Sequence, residues 1–502
     1  MSNLSPARQA AFRILLEVER GQAHSDDLLR ARFVNRLAPV DRNLATALVL
    51  GTLRWQVRLD HEIKQHLAKP NAKLDAEVRL ALRLGALQLL HMERIPAHAA
   101  IAESVELAKL AGHSFAARMV NAVLRKLAPA AAPSNKDTAL SGISQRAENP
   151  ASGHDFSRSE QRRTLPMKGT GFSPYIQDPQ HASGASAPAG AAELALTFAH
   201  PAWLVERWIA QYGVEQTQHL CIHGQQQPAL HLRLADAATE DELRTEGIQL
   251  APATLLMSAR TLVGGDLART AAFRAGRVRI QDEGSQLVAE LAAACAPQKI
   301  KKICDACAAP GGKTLILAEC HSAAQIVACE LSAPRAEELT KRLASLSPRV
   351  TVRSIDAAAL PAENFDLILV DAPCSGTGTL GRNPEIRHRL QPEEFARQAA
   401  RQLAILSAAL GAVRPGGRVL YSTCSLEREE NDEVVAAALA ANSSVHQLSL
   451  APVLDALNAQ GVLANGAAEQ LQPALTPQGA LRLLPGALPT DGFFVALFER
   501  AN

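Results

Sequence analysis

The sequence predicts a multi-domain chain: an all-α bundle first, a small α+β segment after it, and a doubly wound α/β domain to the end. Three observations predict this order. Residues 6–128 keep a helical apolar period, residues 129–192 have no period, and residues 277–502 alternate strand and helix patterns. The length of 502 residues agrees, because single cores stop growing at about 250–300 residues.

In the first region, "ARQAAFRILLEVERG" places Ala11, Ile14, Leu15 and Val18 on one helical face. "DAEVRLALRLGALQLLHME", "AIAESVELAKLAG" and "ARMVNAVLRKLA" repeat the pattern across short Gly- or Pro-containing joints, which predicts a bundle over 1–128. This region carries a net charge of +7 and the remainder −5, so a polyanionic partner is expected at the bundle. Residues 129–192 are rich in Pro, Gly, Ser and Ala. They hold too little apolar surface to offset ordering entropy and are expected to form a disordered linker. Over 193–276, a helix carrying Trp203 and Trp208, an alternating "ALHLRLA" and a short helix at "TEDELRTEGI" predict a small α+β segment. The N-terminus lacks the pattern of a signal peptide. No run reaches the roughly 18–20 apolar residues of a membrane span, and a cytoplasmic protein is expected.

From residue 277, strands are predicted at "KKICDA", "QIVACEL", "RVTVRSI", "FDLILVDA" and "GRVLYST". Strands alternating with helices form a parallel sheet, and ligands sit beyond the carboxyl ends of its strands. "DACAAPGGKT" follows the first of these strands. Gly312, Lys313 and Thr314 fit a phosphate-binding loop, but Cys307 stands where its leading glycine belongs, and no GxGxxG occurs. The small residues from Cys307 through Ala308, Ala309, Pro310, Gly311 and Gly312 to Lys313 still let a backbone approach a ligand closely, which suits a nucleoside without phosphates. Glu330, Asp356 and Asp371 end three successive strands. Glu330 is placed to accept from a ribose diol and Asp356 from an adenine amine, so S-adenosylmethionine fits the layout.

Eight cysteines make no disulfide framework, and "CDAC" lacks a second pair to complete a zinc set, so no metal is expected. Cys374 and Cys424 each stand just past a strand. Neighbouring strands lie about 4.8 Å apart, so if these two are adjacent both thiols open on one pocket. A thiolate is a strong nucleophile, but at a pKa of about 8.5 it needs a nearby charge or proton acceptor. Methylation at C5 of a pyrimidine requires such a nucleophile, because thiolate addition at C6 makes C5 electron-rich. Asp371 is placed to hold the amidine edge of the ring. These considerations alone leave open which cysteine attacks.

At these residues the chain resembles the RsmB/Nop RNA cytosine-C5 methyltransferases, through "IQDEGSQLVAELA", "DACAAPGGKT", "DAPCSGTG", "NPEIR", "YSTCS" with "EEN", and "RLLPG" with "DGFFVALFE". The resemblance covers residues 194–502, and the bundle resembles a NusB-like RNA-binding domain. It implies a Rossmann-like class I methyltransferase domain over 277–502 with a mostly parallel seven-stranded sheet, and an RNA-binding role for 193–276. It further implies that Cys424 is the nucleophile, that Cys374 assists product release, and that Cys307 to Lys313 with Glu330, Asp356 and Asp371 bind S-adenosylmethionine. Glu330 stands where the family more often has aspartate, and His388 where tryptophan is often found. The implied activity is methylation of an unpaired or flipped cytosine in 16S ribosomal RNA by a monomer. The alternatives are another RNA such as tRNA, or a non-catalytic RNA-binding assembly factor; a nucleotide hydrolase is disfavoured by Cys307.

Overall fold

The computed structural model of the chain describes residues 4–21, 23–128, 190–297 and 299–501. The N-terminal domain is a helical bundle running from Pro6–Glu19 to Ala117–Leu127. Ser5 starts it by accepting from the Arg8 amide, with Pro6 in the first turn. The face carrying Ala11, Ile14, Leu15 and Val18 is buried against Leu48, Leu84 and Leu87. Residues 129–189, most of the expected linker, lie outside the described residues. Helix Ala191–Thr197 begins inside the last positions of that expected linker, so Ala191 and Ala192 belong to the next folded unit.

Helix Ala202–Gln225 follows, kinked at Gly213. After it comes a four-stranded antiparallel sheet of β1 (His231–Leu234), β2 (Gln249–Pro252), β3 (Ala259–Gly264) and β4 (Val278–Ile280), in the order β2-β3-β1-β4. The expected limit of this unit at Gly276 is therefore too early. Val278 pairs with Leu234 and Ile280 with Leu232, and Val278 packs into the unit's own core with Leu232 and Ile248.

The larger sheet contains β5 (Lys302–Asp305), β6 (Gln325–Glu330), β7 (Val350–Ser354), β8 (Phe365–Asp371), β9 (Val413–Thr423), β10 (Val445–Leu448), β11 (Leu481–Leu483) and β12 (Phe493–Arg500). Its main path is β10-β12-β9-β8-β5-β6-β7, parallel from β9 to β7 and antiparallel beyond. The seven expected strands are joined by an eighth, the three-residue β11, which pairs with the first half of β12 while β10 pairs with the second. Strand residues alternate between two cores. Ile303, Leu367, Leu369 and Leu420 face helix Glu283–Ala294, and Ile368, Val370, Val419 and Tyr421 face helix Pro392–Ala412. No helix among the described residues is long and apolar enough to cross a membrane.

The segment 381–389 locks the units together. Glu385 is buried and accepts from the Ser25 amide (3.1 Å) and hydroxyl (2.9 Å) of the bundle. Arg389 donates to the carbonyls of Val18 and Ala23, and Arg54 to that of Gly381. Arg387, itself buried, donates to the carbonyls of Gly224 (2.7 Å), Ala199 and Leu380. His388 donates from Nε2 to the Leu53 carbonyl (2.7 Å), and burial lowers its pKa to about 3, so it is a neutral hydrogen-bond donor at the joint.

Candidate active site

The turn after β5 is built for close approach. Gly311 has φ of 98°, and a Cβ there would lie 2.7 Å from Leu339, so a side chain meets both strain and a clash. Ala308 donates to the Cys329 carbonyl of β6, which pins the turn to the neighbouring strand. Beneath it, Asp305 accepts from the Thr314 hydroxyl (2.7 Å), and burial raises its pKa to about 6. The two cysteines of "CDAC" diverge. Cys304 lies in the sheet core 3.9 Å from Cys329, whereas Cys307 lines the pocket beyond the strands. Burial pushes the Cys307 thiol up.

A cavity of about 230 Å³ opens at the carboxyl ends of the parallel strands. Glu330, Asp356 and Asp371 line it, together with Cys307, Cys374 and Cys424, so residues far apart in sequence meet in one site. Glu330 accepts from the Ser332 amide (2.8 Å), and Arg335 lies 3.5 Å from its second oxygen. Asp356 accepts from the Ala358 amide at 3.0 Å. Asp371 is held at both oxygens, by Lys313 Nζ (2.7 Å) and the Ser422 hydroxyl (2.8 Å). Burial works to lower the Lys313 pKa, but Asp371 outweighs it, and the ammonium also feels the Cys424 sulfur. Ala308, Pro310, Gly312 and Lys313 line a second cavity on the other side of the turn, which shares Cys307, Ala309 and Asp371 with the first.

β8 and β9 are parallel neighbours with Asp371 opposite Ser422, so the turns after them sit side by side. Cys374 and Cys424 come within 3.3 Å, sulfur to sulfur. The hydrogen bond to Cys424, and then burial, push the Cys374 thiol well above its ordinary range. The turns are clamped by a group that the sequence reading did not single out. Buried Glu430 accepts from the Ser375 amide (2.8 Å), from the hydroxyls of Ser375 and Ser425, and from Gln402 (3.0 Å). Each serine follows one of the two cysteines. Gly378 completes the packing: a Cβ there would sit 2.6 Å from the Gly492 oxygen and 2.8 Å from that of Cys424. Arg401 and Ile405, on helix Pro392–Ala412, form the remaining wall. The "EEN" string was a signal for Glu430, but nothing in the helix period marks Arg401 as pocket-facing.

A mostly parallel sheet with three carboxylates, a small-residue turn and paired thiols gathered at its strand ends defines a class I methyltransferase fold. Comparison with known sequences agrees. The family described as 16S rRNA methyltransferase RsmB/F matches residues 292–499, its ferredoxin-like domain matches 200–262, and the NusB family matches 5–129. A Bacillus subtilis protein named "Probable ribosomal RNA small subunit methyltransferase B" is 32% identical, over 98% of both chains. The Pseudomonas putida ribosomal RNA small subunit methyltransferase B is 31% identical over 88% of this chain and 91% of its own. Among solved structures, that of PH0851 superposes with a TM-score of 0.71 at 21% identity, covering 99% of each chain, which shows the shared fold. The chain therefore belongs to the RsmB family of 16S rRNA methyltransferases with an N-terminal NusB domain.

Proposed function

We propose that this protein transfers a methyl group from S-adenosylmethionine to C5 of one cytosine in small-subunit ribosomal RNA, with Cys424 as the nucleophile. The observation that carries the reading is the 3.3 Å approach of two thiols at the mouth of a pocket rimmed by three strand-end carboxylates. The pocket fits the donor. Glu330 suits a ribose diol, Asp356 suits an exocyclic amine, and Cys307 and Ala309 of the turn line the pocket beside them. Bound there, S-adenosylmethionine supplies an electrophilic sulfonium methyl.

The chain's own groups do the rest. The Cys424 sulfur, with Lys313 nearby, adds as thiolate to C6 of the cytosine, forming a C–S bond and moving electron density to C5. Asp371, fixed by Lys313 and Ser422, holds the amidine edge of the base. C5 takes the methyl group as the donor's sulfur–methyl bond breaks and leaves a neutral thioether; water then takes up the C5 proton, and the returning electron pair breaks the C6–S bond to release thiolate Cys424. Cys374, kept as a thiol by its neighbour, is positioned to pass a proton at this release. The target ring must leave its stack to reach Cys424. Bisulfite sequencing of small-subunit rRNA tests the function. A strain lacking the protein is expected to lose one protected cytosine, restored by the wild-type gene and not by Cys424→Ala; an unchanged pattern contradicts it.

A further inference from the structure

The second cavity, about 290 Å³, lies between the N-terminal domain and the turn after β5. Its walls include Arg30, which follows helix Ser25–Leu29 of the bundle, and Arg342, from the last turn of helix Ala333–Leu343. We propose that this cleft binds a phosphate of the RNA strand carrying the target cytosine, held by Arg342 of the catalytic domain and Arg30 of the N-terminal domain. The charge of Arg279, on β4 of the smaller sheet, is felt at Arg342. The proposal rests on the function inferred above and adds the place where the strand is gripped.

Asp26, Asp305 and Asp371 line the cleft with Arg30, Lys313 and Arg342, but their pairing leaves Arg342 over, because Asp305 accepts from the Thr314 hydroxyl. Asp26 pairs with Arg30 at 2.8 Å, and Asp371 is taken by Lys313. Glu319 accepts from one nitrogen of Arg279, while Nε and Nη2 of that guanidinium are buried without a partner among the described residues. Arg342 has no carboxylate partner among the described residues. Burial, then the like charges of Arg279 and Arg30, lower its pKa. Clustered guanidiniums with unpaired donors are costly alone and favourable around an anion. The Asp26–Arg30 pair is exposed and worth little, so Arg30 can exchange its partner.

The position selects the source of the anion. The cleft shares Cys307, Ala309 and Asp371 with the pocket holding Cys424. A strand that delivers a base to that sulfur carries its backbone past this rim. The arrangement also gives the N-terminal domain a specific part in catalysis: it completes one wall of the entrance.

The test uses the full chain and an unmodified small-subunit rRNA transcript, with binding measured over a range of salt and methyl transfer at saturating donor. Arg342→Ala and Arg30→Ala are each expected to reduce the slope of log affinity against log salt by about 0.7–0.9, the loss of one phosphate contact. KM for RNA is expected to rise, with kcat and affinity for S-adenosylmethionine unchanged, and Arg342→Lys to recover much of the slope. A slope and KM equal to wild type in Arg342→Ala overturn the proposal. A wild-type chain that binds the transcript without methylating it contradicts the functional reading instead, and the salt slopes still decide this one.

Discussion

At the residue scale, the site separates two chemically identical thiols by their surroundings. Cys374 is pushed up by its bond to Cys424 and keeps its proton, whereas Cys424 has the Lys313 ammonium within electrostatic reach. Both depend on Glu430, whose two oxygens accept four hydrogen bonds and hold the serines beside the cysteines. Glu430→Gln puts an NH₂ against two of those donors while nearly keeping the volume. Ångström-scale misplacement of reacting groups costs up to about 100-fold in rate. We expect kcat to fall roughly 10- to 100-fold with donor affinity unchanged, measured by single-turnover methylation and calorimetry. A kcat equal to wild type would show that the clamp is dispensable.

At the scale of elements, much of the catalytic domain was legible in the sequence. β5, β6 and β8 are buried strands of a parallel sheet and read as apolar runs, and the residues just past them are where such sheets bind ligands. That rule brought Glu330, Asp356, Asp371, Cys374 and Cys424 into one expectation, and all five line one cavity. What escaped was set by distant packing. β11 is three residues long and exists because β12 offers half an edge. β4 belongs to the smaller sheet only through its pairing with β1. Arg401 reaches the pocket because its helix crosses the strand ends, an orientation that periodicity does not encode. The choice between the two cysteines came from resemblance, since both turns present the same local pattern.

At the scale of the molecule, residues 385–389 act as a joint. Glu385 anchors the bundle through Ser25, while Arg387 and His388 donate to main-chain carbonyls of other units or turns, and Arg387 also meets His200 Nδ1 at 3.5 Å. Hydrogen bonds to a charged group contribute about 1.5–3 kcal/mol each. Glu385→Ala is expected to loosen helix Ser25–Leu29, with amide exchange there rising about 10- to 100-fold and exchange in β5 and β8 unchanged. Equal protection in variant and wild type would remove Glu385 from the joint. The central claim, that Cys424 attacks and Cys374 releases, is tested most directly by denaturing electrophoresis after incubation with S-adenosylmethionine and the rRNA transcript. The account predicts a covalent protein–RNA band for Cys374→Ala and none for Cys424→Ala or the double variant; a stable band in Cys424→Ala would contradict it.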